Sequence, residues 1–473
     1  MVRTRFAPSP TGQLHLGNLR VAVFNHLFAR HHGGAFVIRV EDTDRDRNVQ
    51  GSLEAILEDL AWAGLHWDEG PDREGPFGPY RQSERADRHR AVALGLLAGG
   101  LAYRCFCSDE RLAALREEGE GGAPGVGCPG GCQVGDPARA EERVMAGEAA
   151  AIRFPVPDAR IEFTDAVRGD ISFHGRDVGD FVILRADGRP TYNFAVVVDD
   201  IDMEITHVIR GAGHLSNTPK QVLLFDALGA PRPVFAHLPM VLGSDRKKLS
   251  KREGALGVGE LRAEGYPPDA VVNYLSLLGW SPGDDREVLT RAELESELTL
   301  DRVGGSDAVF DPEKLRWMAA QHLALLPLDE LVEAIEPFLD RTRFPLEGDE
   351  LVRSVEAIRT RLHTLGEVND TLAILYPGTS VLEAGVSEVR KEGEEAVRVV
   401  GGIRAALATL TSWEAEELGQ IVREAGRELG ARGPALFHPV RLALCGTRSG
   451  PDLGLVLAAL GRDRTLDRLR MGP

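Results

Sequence analysis

The chain has 473 residues, 27% of them charged and 43% apolar, with a formal net charge of -18. That length exceeds one ordinary core, so several domains are expected. No apolar run approaches the roughly eighteen residues of a spanning helix, and the opening MVRTRFAPSPTG lacks a secretory apolar stretch. These features point to a cytoplasmic protein without a membrane partner. The acidic total argues against a general nucleic-acid coat, yet leaves room for a local basic face that meets RNA.

In chain order, residues 4–7 alternate as a short strand and run into Pro8-Ser9-Pro10-Thr11-Gly12, where proline and glycine break regular structure. From Leu16, the apolar residues Leu19, Ala22, Val23 and Leu27 share one helical face. Residues 35–40 (AFVIRV) form an apolar strand with Glu41 and Asp42 at its carboxyl end. In open α/β sheets that end faces the ligand. Residues 53–65 read as an amphipathic helix, followed by a Gly/Pro-rich stretch at 70–79. Residues 84–189 have their own character, a helix, a cysteine cluster and short strands, and read as an insertion. TYNFAVVVDD (191–200) is expected to resume the sheet, as is 205–210. After Ser306 the pattern is Leu/Ala/Glu/Arg-rich and helical, with breaks near Pro345, Pro377 and Gly433.

Two separated segments carry most of the chemistry. SPTGQLHLGN (9–18) places small residues and His15 at a helix entrance, and KKLSKR (247–252) is a lysine-rich loop. Alone, the first is a tight turn and the second a solvated loop. Together they read as a nucleotide site made from both halves of one α/β sheet. The helix N-terminus would hold a triphosphate, and two mobile ammonium groups would meet the same phosphates. Of five cysteines, Cys105, Cys107, Cys128 and Cys132 lie close in sequence. A cytoplasmic setting disfavours disulfides, and paired thiolates joined by a loop suit tetrahedral zinc. The plainer alternative is four reduced thiols in a glycine-rich loop. Cys445 stands apart as a core residue.

Six segments in order, RFAPSPTGQLHLGN, RVEDTDRDR, GPYRQSER, PTYNFAVVVDD, KKLSKR and VFDPEKLRWM, resemble a bacterial glutamyl-tRNA synthetase, a class I aminoacyl-tRNA synthetase. The resemblance implies an α/β fold: a Rossmann-type class I catalytic domain with an α+β insertion, followed by all-α anticodon-binding domains. By that analogy the catalytic halves are 1–83 and 191–242, with an acceptor-binding insertion at 84–190. A stem-contact domain spans 243–322, and helical anticodon-binding domains span 323–376 and 377–473.

Arg5 and Arg210, at strand ends, can each grip a carboxylate bidentately; Glu41 can pair with an ammonium. The family pattern adds Ala7, Ser9, Tyr192 and Val196 to a glutamate pocket. It assigns His15, Lys248 and Lys251 to catalysis, and Gly17, Asn18, Gly213, Val241, Leu249, Ser250 and Arg252 to ATP. Asp44 and Arg47 resemble acceptor-end contacts; Arg359, Arg361, Arg441 and Leu453 resemble anticodon contacts. The implied reaction activates L-glutamate with ATP and Mg²⁺, then transfers it to the 3′-terminal adenosine of tRNA-Glu, with structural zinc in the insertion. A monomer is expected.

Three positions depart from the family pattern: Asn18, Glu253 where His is usual, and Ala212-Gly213 where acidic residues are common. They keep open a specialised or non-ligating paralogue that binds tRNA or nucleotide, and an enzyme that also charges tRNA-Gln. A glutamylating enzyme that modifies a tRNA base is opposed by the long helical carboxyl-terminal region. That region also separates the chain from the β-barrel-tailed glutaminyl enzymes.

Overall fold

The computed structural model describes residues 1–43, 48–108, 110–111, 132, 135–247 and 257–470. They form two compact units, one of Met1–Gly259 with Val272–Asp311, the other of Glu260–Val271 with Pro312–Pro473. Among the described residues no helix is long and apolar enough to cross a membrane.

The strands of the first unit are β1 (Arg3–Phe6), β2 (Ala35–Ile38), β3 (Tyr103–Cys105), β4 (Ala151–Phe154), β5 (Arg160–Asp165), β6 (Gly169–His174), β7 (Phe181–Leu184), β8 (His207–Gly211), β9 (Val234–Leu238), β10 (Val241–Leu242) and β11 (Ala308–Val309). Six form one sheet in the order β2-β1-β8-β9-β5-β6. The first five strands of that order run parallel, and β6 returns antiparallel beside β5. Crossovers through helices cover the sheet, so β1 and β2 are buried at every position. The carboxyl ends of β2, β1, β8 and β9 therefore share one edge, where such sheets bind ligands.

The helix Leu16–His31 begins where the apolar period begins, and its buried Leu19, Ala22, Val23 and Leu27 pack towards the sheet. The helix Ser52–Trp62 also falls where expected.

Residues 191–200 depart from the expectation of a strand. They lie in a helix, Tyr192–Asp202, entered from Thr191 in extended conformation. Phe194 through Asp200 are all buried, so this helix is enclosed on every side. A fully enclosed helix shows no polar face, and its Val-rich run looks like an interior strand. Tertiary burial has overridden the β preference of Val196, Val197 and Val198.

The expected insertion divides between two sheets. β3, β4 and β7 make a separate antiparallel sheet, but the β5–β6 hairpin extends the main one through pairing of Asp165 with Phe235. The alternation of β5, with Ile161, Phe163 and Asp165 buried, lays its inner face against the unit's core.

The second unit is helical. Leu331, Val355, Leu372, Val400, Val422 and Val456 belong to one buried cluster. Pro377-Gly378 and Gly433 separate its helices where the sequence breaks suggested.

His26 lies inside the first unit, 2% exposed, with its ring edge-on to Phe36 at 5.5 Å. Burial, helped by Arg30, Arg291 and His66, pushes it down to about 3. The unfolded chain then binds more protons than the folded one below about pH 6.5, so stability falls with pH from there downwards. Denaturant unfolding of the first unit is expected to weaken from pH 6.5 to 4. His26→Leu should flatten that slope by up to about 1.4 kcal/mol per pH unit; an unchanged slope places the acid sensitivity elsewhere.

Candidate active site

The carboxyl edge of the parallel sheet gathers buried charge. Arg5, near the end of β1, donates from Nε to Asp200 Oδ1 at 3.1 Å. Arg39, just past β2, donates from Nη1 to the same oxygen at 2.5 Å and from Nη2 to Glu41 Oε1 at 3.4 Å. Arg39 is fully buried, and the Glu41 side chain is 8% exposed. Burial opposes the Arg39 charge, but Asp200, Asp199 and Glu41 together raise its pKa above the ordinary arginine value. Burial also lifts the Glu41 carboxyl above the usual range, against the pull of Arg39 and Arg5.

Arg210, near the end of β8, is also buried. Its Nε donates to His237 Nε2 at 3.1 Å, and its Nη2 to Thr218 Oγ1 at 2.8 Å and Gln221 Oε1 at 2.7 Å. Its Nη1 is buried without a hydrogen-bond partner among the described residues. Tyr192 is close enough to feel Glu41, Arg210, Arg5 and Arg39, and burial pushes its phenol up to about 12. Its hydroxyl meets His214 Nδ1 at 3.1 Å. The structure thus brings Arg5, Glu41, Tyr192 and Arg210 into one electrostatic neighbourhood. Ala7 is half-buried and Ser9 exposed; the Glu41 amide donates to Pro8 O at 3.0 Å, which ties Glu41 to their loop. Val196 is 1% exposed and lies one helical turn after Tyr192 on the same face.

His15 caps the helix Leu16–His31: its Nδ1 accepts the Asn18 amide at 3.2 Å. A ring nitrogen that accepts carries no proton, so Nε2 is the protonated position of the neutral ring. A Cβ on Gly17 would lie 3.2 Å from His15 Nδ1, a tight contact to which the exposed ring would have to yield. Asn18 is exposed in the first turn, which carries no acidic residue to oppose an anion. Gly12 clasps Ser52 Oγ in both directions, at 2.9 and 2.7 Å, which fixes the loop before His15.

Lys248, Leu249, Ser250, Lys251 and Arg252 lie outside the described residues. The chain just beyond them is anchored here, because Gly257 bridges His15 and the Val258 amide donates to Leu14 O at 3.2 Å. Before them, Val241 lies in β10, paired with Ala308 of β11. Gly213 is exposed in a 3₁₀ turn, with no atom within 4 Å of where its Cβ would stand.

Asp44, Arg47 and Cys128 also lie outside the described residues. The sulfurs of Cys105, Cys107 and Cys132 are all within 4.8 Å of one another, with Cys107 and Cys132 3.7 Å apart. Tetrahedral zinc with bonds of about 2.3 Å separates its sulfurs by about 3.8 Å. The three thiols fit that ion. Cys445 is a core residue, 4% exposed, and burial pushes its thiol up to about 11.

In the second unit, Arg359 directs Nη2 to the carbonyls of Ala324 and Leu326, which holds it against the helix end. Arg361 is exposed. Arg441 is half-buried, and its pKa is lowered first by burial, with Arg361 adding to the effect. Leu453 is buried at the start of the helix Leu453–Arg468, which Asp452 caps.

Several site residues carry little signal in the sequence: Asp200, Arg39, His237, Thr218 and Gln221. A helical reading of 192–202 exposes one of them, since it sets Tyr192, Val196 and Asp200 four residues apart on a single face.

The model of the tRNA synthetases class I (E and Q) catalytic domain matches residues 1–317, and that of the anticodon binding domain matches 330–473. The fold is a class I catalytic domain with a mixed sheet, followed by a helical anticodon-binding domain. A glutamate–tRNA ligase of Desulforudis audaxviator is 46% identical, covering 99% of this chain and 95% of the relative. One from Sulfurihydrogenibium sp. is 43% identical, covering 99% and 98%. The crystal structure of a glutamate tRNA ligase from Elizabethkingia meningosepticum, in complex with its amino acid, is similar with a TM-score of 0.85 and 31% identity, covering 99% and 98%. The chain belongs to the class I tRNA synthetases of the E and Q group and, within it, to the glutamate–tRNA ligase family.

Asp200→Ala strips the carboxylate from between Arg5 and Arg39. Breaking such a buried pair costs on the order of 3–5 kcal/mol, and Asp200→Asn, which keeps an acceptor, is expected to cost less. Chemical unfolding of the first unit measures both; equal and small effects would show that the two guanidinium groups do not depend on Asp200.

Proposed function

We propose that this chain is a glutamate–tRNA ligase: it activates L-glutamate with ATP and esterifies the 3′-terminal adenosine of tRNA-Glu. The observation that carries this reading is the juxtaposition of Arg5, Arg210 and Glu41 at the carboxyl edge of the sheet. Glutamate has two carboxylates and one ammonium, and these are the complementary charges. Membership of the family supports the same assignment.

In the first step a glutamate α-carboxylate oxygen attacks the α-phosphorus of ATP. The bond from that phosphorus to the bridging oxygen breaks, and pyrophosphate leaves, its charge balanced by the Mg²⁺ that accompanies ATP. His15, with its proton on Nε2, donates to the phosphates, and the helix amides at Gly17 and Asn18 add their dipole. Lys248 and Lys251 are assigned the remaining phosphate charge, with Leu249, Ser250, Arg252, Gly213 and Val241 around the nucleotide. In the second step a terminal ribose hydroxyl attacks the activated carbonyl, the bond from that carbonyl to the phosphate oxygen breaks, and AMP leaves with the hydroxyl proton passing to its phosphate. Positioning supplies most of the rate, so no covalent intermediate on a side chain is needed.

Ala7, Ser9, Tyr192 and Val196 would complete the glutamate pocket. Asp44 and Arg47 would meet the acceptor end; Arg359, Arg361, Arg441 and Leu453 would meet the anticodon, with guanidinium groups stacking on splayed bases. Cys105, Cys107 and Cys132, joined by Cys128, would hold zinc, which would brace the insertion without entering the chemistry. The chain would act in the cytoplasm as a monomer.

Labelled glutamate, ATP and purified tRNA-Glu or tRNA-Gln should yield acid-stable charged RNA with tRNA-Glu. No product with either tRNA sinks the assignment, and equal product with both makes the enzyme non-discriminating. Arg5→Ala is expected to raise the glutamate KM at least about tenfold, as loss of a charge-assisted pair implies. An unchanged KM removes Arg5 from the pocket. Metal analysis should find about one zinc per chain, lost with Cys107→Ser; far less in the unaltered protein leaves the thiols without a metal.

A further inference from the structure

Arg210 is held differently from four other buried arginines of this unit. Arg3 sits on Glu69, Arg5 on Asp200, Arg39 on Asp200 and Glu41, and Arg85 on Asp199 and Asp202. Arg210 is held by a ring nitrogen of His237, the hydroxyl of Thr218 and the amide oxygen of Gln221. None of these is a carboxylate.

His237 and Gln221 are each locked in a neutral, accepting form from behind, and Thr218 Oγ1 also lies 3.1 Å from His237 Nε2. A guanidinium only donates, so His237 Nε2 must accept and the ring proton lies on Nδ1. That proton goes to Asp165 Oδ2 at 2.6 Å. Asp165 is itself held by the amides of Val167, Arg168 and His237 on Oδ1, at 3.0, 2.9 and 3.2 Å. Gln221 is oriented in the same manner. Its Nε2 donates to Asn193 Oδ1 at 3.1 Å, and Asn193 Nδ2 donates to Asn217 Oδ1 at 3.4 Å, which turns Gln221 Oε1 towards Arg210. His237, Asp165, Thr218 and Gln221 are each at most 2% exposed.

We propose that His237 and Gln221 are positioning and specificity residues for the substrate: they fix the Arg210 guanidinium through neutral acceptors, so that its Nη1, unpartnered among the described residues, awaits a ligand carboxylate. A carboxylate at either position would satisfy the arginine in advance and favour a neutral ligand group. This rests on the glutamate–tRNA ligase reading, to which it adds the means of selecting an anion.

Gln221→Glu separates this role from a structural one, because it is nearly isosteric. If Gln221 served only the fold, an ion pair with Arg210 would leave glutamate binding unchanged. The proposal expects the glutamate KM to rise at least about tenfold, with the ATP KM within about twofold. His237→Gln keeps an acceptor where Nε2 stood; His237→Asn keeps only the donor to Asp165. The first should retain a glutamate KM within about threefold of the parent, and the second should raise it about tenfold. Equal glutamate KM values for His237→Gln and His237→Asn, or an unchanged KM in Gln221→Glu, overturn the proposal. Circular dichroism and thermal melting confirm that each variant is folded. Should His237→Asn not fold, Gln221→Glu alone decides. If the unaltered chain charges no tRNA, the ligase reading fails by itself. Calorimetric titration with L-glutamate then takes the place of KM: tenfold weaker binding by Gln221→Glu upholds the proposal. Equal binding, or none by either protein, overturns it.

Discussion

The shared carboxylate of Asp200 is the contact on which the catalytic unit turns. Two guanidinium groups from neighbouring strand ends, Arg5 and Arg39, converge on one oxygen of a carboxylate that is almost wholly buried. In an interior of low effective dielectric none of these charges can be stranded without a large penalty. The pairing therefore sets the angle at which β1 and β2 present their carboxyl ends, and with it the place of Glu41. The preceding residue, Asp199, does a related job on another side of the helix, where it receives Gln82, Arg85 and His89 at 2.8, 2.6 and 2.8 Å. Successive helical residues point about 100° apart, so two adjacent aspartates can brace two different partners.

The charge distribution has a division of labour. The chain as a whole carries -18, yet its sheet edge concentrates arginines. An acidic total discourages indiscriminate binding of polyanions. Within the crevice the arginines are not equivalent. Arg5 and Arg39 are braced by Asp200, whereas the hydrogen bonds of Arg210 go to neutral acceptors. Burial lowers the pKa of that guanidinium, with Arg5 adding to the effect and Tyr192, Asp200 and Glu41 opposing it.

Some of this was legible before any coordinates. The loop at 9–18, the helix from Leu16, the strand end at Glu41 and the clustered cysteines are local signals, each written in a few adjacent residues. The helix Tyr192–Asp202 was not, because complete burial erases the polar stripe by which a helix is recognised. The place of the β5–β6 hairpin was equally hidden. Its alternation marks it as a strand pair, but nothing local says that Asp165 will lie beside Phe235 and reach His237.

The sequence by itself determined the family, the phosphate-facing helix start and the kinds of charge the site would need, since those depend on residue type and short spacing. Tertiary structure alone decided which arginine is bound to a carboxylate and which is left with neutral partners. Arg5 and Arg210 look alike as strand-end arginines; Asp200 lies 195 residues from the first, and His237 lies 27 residues from the second. A side chain's electrostatic role is set by whatever the fold carries to it across such separations.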